Sequence, residues 1–571
     1  MEETRRDFIK KLGMLGGAGF LAASPLQAFS NAKAEETDAE TDAETETEAP
    51  EGQKPVRVTI LQTTDVHCQI HPHDELFWED GKSVFRKTGG YGQLATYLAQ
   101  HRKANPQTFV IDTGDMFQGS RLSVKTNGKA ISPILDALQY DLYLPGNWEV
   151  IYGKRTMQTL LGGLQGPKVC ANMYHDLGEG KRGELIFPPY HIWNVAGIKI
   201  GFLGYTDPLV PIRQSPVYSK GIIYSKPEEN IAHFVDVLRN QEQCAFVCVV
   251  AHLGLSQQIH LANQDVCAGV DYILGGDTHE RVRVPIVCKH AKVVEPGAFG
   301  SFVGRLTLTI ENGKVVADEY ALDEISASKY KPAKQMESLI AQVENPFEAE
   351  IEEVLGYSTI PLYRYFVIEN TIDTMILNAL NFALPDVDIK LSNGFRFCPP
   401  RSTRDETGNI PITGGYLYDI LPVDSVLRTA NVTGRQIREW LEKELNNVFA
   451  KDASERFGGW LIKFKGMQLR FYAFGEKGKR VQDVKIGGQD LDPDKVYSVV
   501  ACEREGDPVD TLCRIKNVQQ PRNLPMTLYS VMKEYWNAHS PVTPTPERNA
   551  VALDAPETLL TQVTGVDYQF R

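Results

Sequence analysis

The chain has 571 residues, of which 42% are hydrophobic and 23% are charged, a composition typical of a soluble globular protein. Its formal net charge of −13 is concentrated in residues 35–52, which contain nine acidic residues and no basic one. The rest of the chain is only mildly acidic, which argues against a nucleic-acid-binding surface. The length is sufficient for two domains, each with its own core.

Residues 1–34 have the pattern of an export signal. Twin arginines in "TRRDFIK" (4–10) precede the apolar run "LGMLGGAGFLAA" (12–23), and "AKA" (32–34) offers small residues for cleavage. Because the run is shorter than the roughly 20 residues that span a membrane, a signal is favoured over an anchor, with no membrane span in the mature chain. We therefore expect a periplasmic protein, exported in the folded state. Residues 35–54 are predicted to be a disordered acidic linker.

Short apolar runs alternate with helix-forming stretches from residue 55 onward, which predicts a layered α/β fold. The runs end in polar residues, as in "VRVTILQTTDVH", "TFVIDTGD", "GIKIGFLGYTD", "AFVCVVAHLG" and "VDYILGGDTH". We expect a catalytic domain over residues 55–332, a connecting helix broken near Pro346 over 333–356, and a smaller α/β domain over 357–545. Residues 546–571 are a tail to which no structure is assigned.

Polar side chains collect at the ends of these predicted strands. Carboxyl ends of neighbouring strands in α/β domains converge on one crevice, so we expect these side chains to meet. They offer oxygen and nitrogen donors without a thiolate, which suits a pair of divalent ions better than a structural zinc. The alternative is that they only cap strands and turns. The seven candidate metal ligands are Asp65, His67, Asp115, Asn147, His252, Asp277 and His279.

The motif order D-x-H, G-D, G-N-x-E, H-x-G and G-x-T-H resembles that of the calcineurin-type metallophosphoesterases, and more narrowly that of the 5'-nucleotidase family, over residues 55–545. The resemblance implies a four-layer αββα sandwich for the first domain and a substrate-binding second domain of the 5'-nucleotidase type. It also implies two divalent ions that share the carboxylate of Asp115. One ion would bind Asp65, His67, Asp115 and His279, and the other would bind Asp115, Asn147, His252 and Asp277.

Two positions depart from the 5'-nucleotidase pattern within the metal motifs. The family has a histidine that assists phosphoryl transfer, whereas this chain has Trp148, and Ile151 replaces the aspartate that supports the histidine. An indole cannot transfer a proton near pH 7. The family also has a histidine where this chain has Asp277. A carboxylate there favours a harder ion, manganese first, with iron, magnesium or zinc as alternatives, or else it weakens the second metal position.

A third departure concerns the base-binding slot of the second domain. The 5'-nucleotidases stack the base between two aromatic residues, but this chain has Val423 and the Pro508–Val509 pair at the corresponding motifs. Stacking on an aromatic side chain is worth about 1–3 kcal/mol per base. The slot for a nucleoside is therefore predicted to be lost.

Together the departures resemble the Sox-type thiosulfohydrolases, a branch of the same fold with a twin-arginine signal, a tryptophan in the G-x-W-E loop and a dimanganese centre. The resemblance implies hydrolysis of a protein-bound cysteine S-sulfonate to sulfate, with a sulfur-carrier protein as partner. That branch has histidines where this chain has Asn147 and Asp277. The alternative is a 5'-nucleotidase or 2',3'-cyclic-nucleotide phosphodiesterase acting on a small anionic ester, and a third hypothesis is a catalytically weak metal-binding protein.

The same resemblance predicts the substrate contacts. Arg396, in "SNGFRF", matches an anion-binding arginine, with an interdomain salt bridge as the alternative. Asn393 is its companion, and Trp148 would line the channel. Asp115 and Asn147 complete the predicted catalytic set with Arg396.

Residues next to the metal motifs receive structural predictions. Glu149 is predicted to anchor its own turn. His71, His73 and Cys68 either line the rim of the pocket or belong to a loop, and the loop is favoured. The nine cysteines include no C-x-x-C pair, so no disulfide is assigned.

Overall fold

The computed structural model describes residues 55–392 and 398–561. The predicted export signal and acidic linker lie outside this range and stay predictions. Up to residue 332 the strands are β1 (Val56–Thr63), β2 (Pro72–Glu79), β3 (Lys82–Gly89), β4 (Thr108–Asp112), β5 (Leu142–Tyr143), β6 (Met173–Asp176), β7 (Arg182–Leu185), β8 (Tyr190–Val195), β9 (Ile198–Thr206), β10 (Ile222–Tyr224), β11 (Phe246–His252), β12 (Tyr272–Leu274), β13 (Ile286–Val287), β14 (Lys292–Val294), β15 (Phe302–Glu311) and β16 (Lys314–Glu324).

Helices fill the connections between these strands. They are α1 (Tyr91–Ala104), α2 (Arg121–Thr126), α3 (Ser132–Leu138), α4 (Lys154–Gly163), α5 (Val210–Arg213), α6 (Ile231–Asp236) and α7 (Leu255–Ala262). Short 3₁₀ turns occur at Pro227–Glu229 and Asp265–Cys267, and α6 continues into a π-helical turn at Val237–Gln241.

Two large sheets pack face to face in this first domain. One has the strand order β16-β15-β1-β4-β5 and the other has the order β13-β14-β12-β11-β9-β8. Side chains of β1 show how the layers are separated. Ile60 belongs to the core between the sheets, whereas its neighbour Leu61 packs with Leu94 of α1 on the other face, because successive residues of a strand point to opposite faces. On the far side, α6 and α7 pack against the second sheet, which confirms the predicted four-layer αββα arrangement.

Parallel pairing fixes where the ends of these strands lie. In the first sheet β1 runs parallel to β4, and β4 to β5. In the second sheet β9, β11, β12 and β14 are mutually parallel neighbours. The carboxyl ends of each parallel set therefore lie along one edge of their sheet, which is the place where α/β domains bind ligands.

The remainder of the chain begins with two helices, α8 (Lys334–Glu344) and α9 (Glu348–Glu352), on either side of Pro346. Proline removes a helical hydrogen bond, which accounts for the break. The later helices are α10 (Thr371–Ala383), α11 (Gly414–Ile420), α12 (Gly434–Phe449) and α13 (Leu528–His539), with a 3₁₀ turn at Ala453–Glu455. The strands are β17 (Val354–Ser358), β18 (Ile389–Ser392), β19 (Ile410–Thr413), β20 (Val426–Thr433), β21 (Lys463–Lys465), β22 (Met467–Phe471), β23 (Val481–Ile486), β24 (Gln489–Asp490), β25 (Val496–Cys502), β26 (Thr511–Leu512), β27 (Ile515–Lys516), β28 (Gln519–Thr527) and β29 (Ala550–Ala552).

The C-terminal domain is also α/β. Its larger sheet has the order β21-β18-β25-β20-β28, and its smaller sheet has the order β24-β23-β22-β29. The amphipathic helix α12 buries Ile437 and Leu441 between them. Strand β29 pairs in parallel with β22. The C-terminal domain thus continues past residue 545, the limit predicted from the sequence. The prediction missed β29 because a strand three residues long carries too little pattern to be recognised.

Direct hydrogen bonds join the two domains. Asp74 of β2 accepts from the backbone N–H groups of Ser402 and Thr403. The side-chain amide of Gln257 donates to the carbonyl oxygens of Ala453 and Arg456.

Among the described residues, no helix is both long enough and apolar enough to cross a membrane.

A buried ion pair in the first domain yields a stability prediction. Glu75 Oε1 lies 2.7 Å from Arg281 Nη2, and both side chains are 1% exposed. Burial alone would raise the pKa of Glu75, but the charge of Arg281 lowers the pKa from 4.5 to about 2. Glu75→Gln should lower the free energy of unfolding at pH 7 by about 3 kcal/mol, because it leaves a buried cation uncompensated. Urea unfolding measures the change.

The pH dependence of that penalty follows from the same pKa. The folded carboxyl has the lower pKa, so the wild-type contribution is complete above pH 4.5 and is lost as the pH falls toward 2. The difference in the free energy of unfolding between wild type and Glu75→Gln should therefore shrink as the pH falls from 4.5 toward 2. Glu476→Gln, in an exposed pair with Lys479, is the control and should change the stability by less than about 1 kcal/mol. Equal effects of the two substitutions would contradict the prediction.

Candidate metal centre

The seven predicted ligands lie where strands end. Asp65 and His67 follow β1, Asp115 follows β4, and Asn147 follows β5. His252 is the last residue of β11, and the loop after β12 carries the remaining two ligands. Six of the seven are buried, and Asp277 is partly buried. The backbone has a positive φ at five of them, a conformation that non-glycine residues rarely adopt and that is typical of functional sites; these are Asp65, His67, Asp115, Asp277 and His279.

Five of the side chains form two groups that share Asp65. One group is Asp65, His67 and His279, the other is Asp65, Asp115 and His252, and the ligand atoms within each group lie within 4.8 Å of one another. Asp65 Oδ1 lies 3.3 Å from His279 Nε2 and 3.8 Å from His252 Nε2. Asp115 Oδ2 lies between the two groups, 3.6 Å from His67 Nε2 and 3.2 Å from His252 Nε2.

The histidines are oriented as metal ligands. His67 Nδ1 lies 2.9 Å from the carbonyl oxygen of Gln118, and His252 Nδ1 lies 2.7 Å from that of Thr113. Because a carbonyl oxygen only accepts hydrogen bonds, each Nδ1 carries a proton, and Nε2 is the nitrogen that faces the cluster. Burial, together with the neighbouring His279, lowers the pKa of His67 to about 3, so its imidazole is neutral at pH 7.

Unpaired polar atoms show that these residues fit a cation. Asp65 Oδ1 and His252 Nε2 are buried and make no well-aligned hydrogen bond to any described residue, although a buried polar atom without a hydrogen bond costs roughly 1–3 kcal/mol. Burial, against the attraction of His252, raises the pKa of Asp115 to about 7, with Glu149 and Asp65 adding to the rise. A divalent ion would satisfy the two atoms and offset the crowding of carboxylates. The oxygen and imidazole donors suit such an ion.

The two other predicted ligands are adjacent but lie outside both groups. Asn147 Nδ2 donates to Asp277 Oδ1 at 2.6 Å, and that oxygen lies 3.9 Å from His252 Nε2. The backbone N–H of Asp277 donates to Asp65 Oδ2 at 3.0 Å. Asp277 therefore contacts the cluster and sits at the predicted second position.

Glu149 holds two of the ligand loops together, which confirms and extends its predicted anchoring role. Its carboxylate accepts hydrogen bonds from the backbone N–H groups of Gly146, in its own turn, and of Asp115 and Met116 in the other loop. The backbone N–H of Trp148 in turn donates to Asp115 Oδ1 at 2.8 Å. The Asn147 loop and the Asp115 loop are thus fixed relative to each other.

Three residues at the site were not identified from the sequence. Arg213 Nη1 lies 3.0 Å from Asp207 Oδ2 and 3.2 Å from Asp277 Oδ2. Gln214 Nε2 donates to Asn147 Oδ1 at 3.0 Å. Asp207 directly follows β9, so its strand-end position was a usable signal. Arg213 and Gln214 end a four-residue helix and start an irregular segment, where no periodic pattern marks them.

A cavity of about 680 Å³ opens from the ligands toward the C-terminal domain. Trp148, which is 8% exposed, is part of its wall. Aromatic side chains of Tyr218, Phe457 and Trp460 also face the cavity. Val423, which was predicted to replace a base-stacking aromatic residue, faces it as well. The cavity therefore joins the metal ligands to a wall on which aromatic and aliphatic side chains alternate with charged ones, such as Arg364 and Glu503.

Several predicted residues lie elsewhere. Asn393 and Arg396 fall outside the described residues, so their predicted substrate contacts stay predictions. His71 is exposed beside Glu344, and His73 lies 2.9 Å from Ser301 Oγ. Neither histidine, nor Cys68, is among the described residues that line the cavity, which argues against the rim interpretation. The loop interpretation holds for Cys68 and His71 but is wrong for His73, which lies in strand β2. All nine cysteines lie in the described ranges and none forms a disulfide there.

Comparisons with known proteins agree with this fold. Residues 58–281 match the calcineurin-like phosphoesterase family, and residues 352–503 match the 5'-nucleotidase C-terminal domain. The sulfate thiohydrolase SoxB of Thermus thermophilus has a similar structure, with a TM-score of 0.78 and 22% identity over 90% of this chain and 99% of that chain. A 5'-nucleotidase precursor, also of Thermus thermophilus, has a TM-score of 0.75 and 21% identity, over 88% of this chain and 100% of that chain.

A curated relative extends the comparison to sequence. The trifunctional nucleotide phosphoesterase protein YfkN of Bacillus subtilis is 25% identical over 75% of this chain, and the match spans 30% of that protein's length. The two family matches together take in well over half of the chain. The chain therefore belongs to the calcineurin-like phosphoesterase family and carries a 5'-nucleotidase C-terminal domain.

Proposed function

We propose that this protein is an exported dinuclear-metal hydrolase of the thiosulfohydrolase type, which hydrolyses a protein-bound cysteine S-sulfonate to sulfate. The observation that carries the proposal is Trp148, which lines the cavity beside the metal ligands where related phosphoesterases are expected to have a proton-donating histidine. An indole cannot donate a proton to a leaving group near pH 7. The site therefore suits a substrate whose leaving group departs without an acid.

A sulfur leaving group meets this requirement. In the proposed reaction water forms an S–O bond to the sulfonate sulfur, the S–S bond to cysteine breaks, and the products are the cysteine thiol and sulfate. A cysteine thiol has a pKa near 8.5, far below that of an alcohol, so its anion is a good leaving group. The divalent ions, when bound, would lower the pKa of a water molecule and attract the anionic substrate.

The described residues have defined roles in this proposal. Asp115 reaches both ligand groups and would be shared between two ions. Asp65, His67 and His279 hold one side of the site, and His252 holds the other. Trp148 and the other aromatic side chains supply apolar surface within the cavity. Asn147 and Asp277 complete the second position, and Arg396 is proposed as the anion-binding residue.

The natural setting is part of the proposal. The twin-arginine pattern in residues 1–34 supports export to the periplasm, where a sulfur-carrier protein would present its modified cysteine on a flexible arm. Manganese is the proposed metal because Asp277 adds a carboxylate to the donor set, with iron, magnesium and zinc as alternatives.

A second candidate function is hydrolysis of a nucleotide or a similar phosphate ester. It is favoured by the nucleotide phosphoesterase among the curated relatives and by the cavity volume of about 680 Å³, which lies in the range of small-ligand pockets. Val423 faces this cavity and cannot stack on a base, and Val509 is 67% exposed. The predicted loss of the base slot therefore argues for the sulfur substrate over the nucleotide.

A direct comparison of substrates separates the candidates. Manganese-loaded protein should release sulfate from a protein-bound cysteine S-sulfonate, while AMP hydrolysis should be slower by about 10²-fold or more because the proton donor is missing. Ion chromatography measures sulfate and a dye assay measures phosphate. Rapid turnover of AMP would reject the sulfur proposal, and no product from either substrate would favour a metal-binding protein without catalysis.

Restoring the proton donor is a sharper test of the Trp148 position. Trp148→His combined with Ile151→Asp should raise hydrolysis of a phosphate monoester by about 10²-fold, because a histidine supported by a carboxylate can protonate the leaving oxygen. Ile151→Asp alone is the control and should give no gain. Steady-state rates with 4-nitrophenyl phosphate and AMP measure the effect. If the double variant hydrolyses neither better than the control, the explanation of Trp148 is wrong.

The shared carboxylate predicts a loss of metal. Asp115→Asn should remove both ions, because Asp115 contacts both ligand groups, whereas His252→Ala should remove one. Inductively coupled plasma mass spectrometry of the purified protein gives the metal content. Asp265→Asn, at an exposed ion pair with Lys289, is the control. Retention of both ions by Asp115→Asn would refute a shared role, and zinc as the sole bound metal would refute the preference for manganese.

A further inference from the structure

Two consecutive residues hold the two ligands that complete the second metal position. Arg213 donates to Asp277 Oδ2, and Gln214 donates to Asn147 Oδ1. Arg213 ends α5, and the backbone N–H of Gln214 still bonds to the carbonyl oxygen of Val210, so both side chains start from one fixed turn. The turn is therefore built to contact both ligands at once.

The Gln214 amide is buried yet only half satisfied. The residue is 6% exposed, and Nε2 donates to Asn147 Oδ1 at 3.0 Å. Its Oε1 is buried and has no hydrogen-bond partner among the residues that the structure describes. Leaving such an acceptor unpaired costs roughly 1–3 kcal/mol, so a residue with no polar role would be better replaced by an apolar one of similar shape. The unused acceptor lies on the side chain that contacts a predicted metal ligand.

Rotation of an amide group exchanges its oxygen and nitrogen. In the structure Asn147 Nδ2 points to Asp277 Oδ1, at 2.6 Å, and its Oδ1 points to Gln214. Only Oδ1 can bind a metal ion, and to do so it must face Asp277 and the cluster. The Asn147 nitrogen then faces Gln214 and needs an acceptor. Gln214 Oε1, which has no competing partner, supplies that acceptor when the Gln214 amide also turns.

We propose that Gln214 is a positioning residue that orients the Asn147 amide so that Oδ1 binds the second metal ion; this rests on the two-ion site of the proposed function. Arg213 acts beside it by holding Asp277 Oδ2, which leaves Asp277 Oδ1 directed at the same place. Residues that orient metal ligands typically contribute about 10–100-fold to metal affinity.

Calorimetric titration of the chelator-treated full chain with Mn²⁺ tests this role. Wild type should bind two ions. Gln214→Met should lower the affinity for the second ion by about 10-fold or more, while the affinity for the first ion should change by no more than about twofold. Gln214→Glu keeps an acceptor and should retain the affinity of wild type. Gln257→Met is the matched control, since the Gln257 amide donates to the backbone oxygens of Ala453 and Arg456, away from the metal ligands, and the variant should bind both ions with the affinity of wild type.

A second variant separates orientation from simple packing. Asn147→Asp presents an oxygen to the metal position whichever way the side chain turns. Adding Gln214→Met in that background should therefore cause no further loss of affinity for the second ion. Electron paramagnetic resonance of bound Mn²⁺ should show a coupled pair in wild type and isolated ions in Gln214→Met.

Three results would overturn the proposal. The first is that Gln214→Met binds two Mn²⁺ ions with the affinities of wild type. The second is that Gln214→Glu binds the second ion as weakly as Gln214→Met does. The third is that Gln214→Met lowers the affinity for the second ion equally in the Asn147→Asp background. Fewer than two ions in wild type would instead remove the two-ion site itself, and the proposed function would fail together with this inference. The wild-type titration thus distinguishes the two failures.

Discussion

The structure depends on carboxylates and imidazoles crowded into a site from which water is largely excluded. Asp65, His67 and His252 are at most 1% exposed, and Asp65 Oδ1 and His252 Nε2 make no well-aligned hydrogen bond to any described residue. Burying such groups without compensation is costly, and a cation is the partner that satisfies both kinds at once. The left-handed backbone at the ligands and the three N–H groups gathered by Glu149 keep these groups together.

Topology explains why most of the fold and site could be predicted from sequence. A polar residue at the end of a β-branched apolar run is a local signal. Parallel pairing then brings the runs before Asp65 and Asp115 to one edge of the first sheet, and the runs before His252 and Asp277 to one edge of the second sheet. Arg213 and Gln214 reach the site only through the path of an irregular segment, and strand β29 is defined by its distant partner β22. Such non-local placement leaves no periodic trace in the sequence.

Trp148 connects the fold to the chemistry. Its backbone N–H bonds to Asp115, so the loop geometry that serves the metal ligands is retained, while the side chain contributes an apolar wall to the cavity. In the proposed function, an indole in place of a proton donor would change which leaving groups can be expelled and would leave the metal ligands in place. This separation of scaffold from specificity is how one fold comes to serve different substrates.

The central claim is that two cations share Asp115 at the edge of the parallel sheets. Anomalous X-ray scattering at the manganese edge, from crystals of the full chain grown with Mn²⁺, tests it most directly. The account predicts two peaks about 4 Å apart, one on each side of the Asp115 carboxylate. A single peak, or peaks away from Asp65, Asp115 and His252, would contradict it.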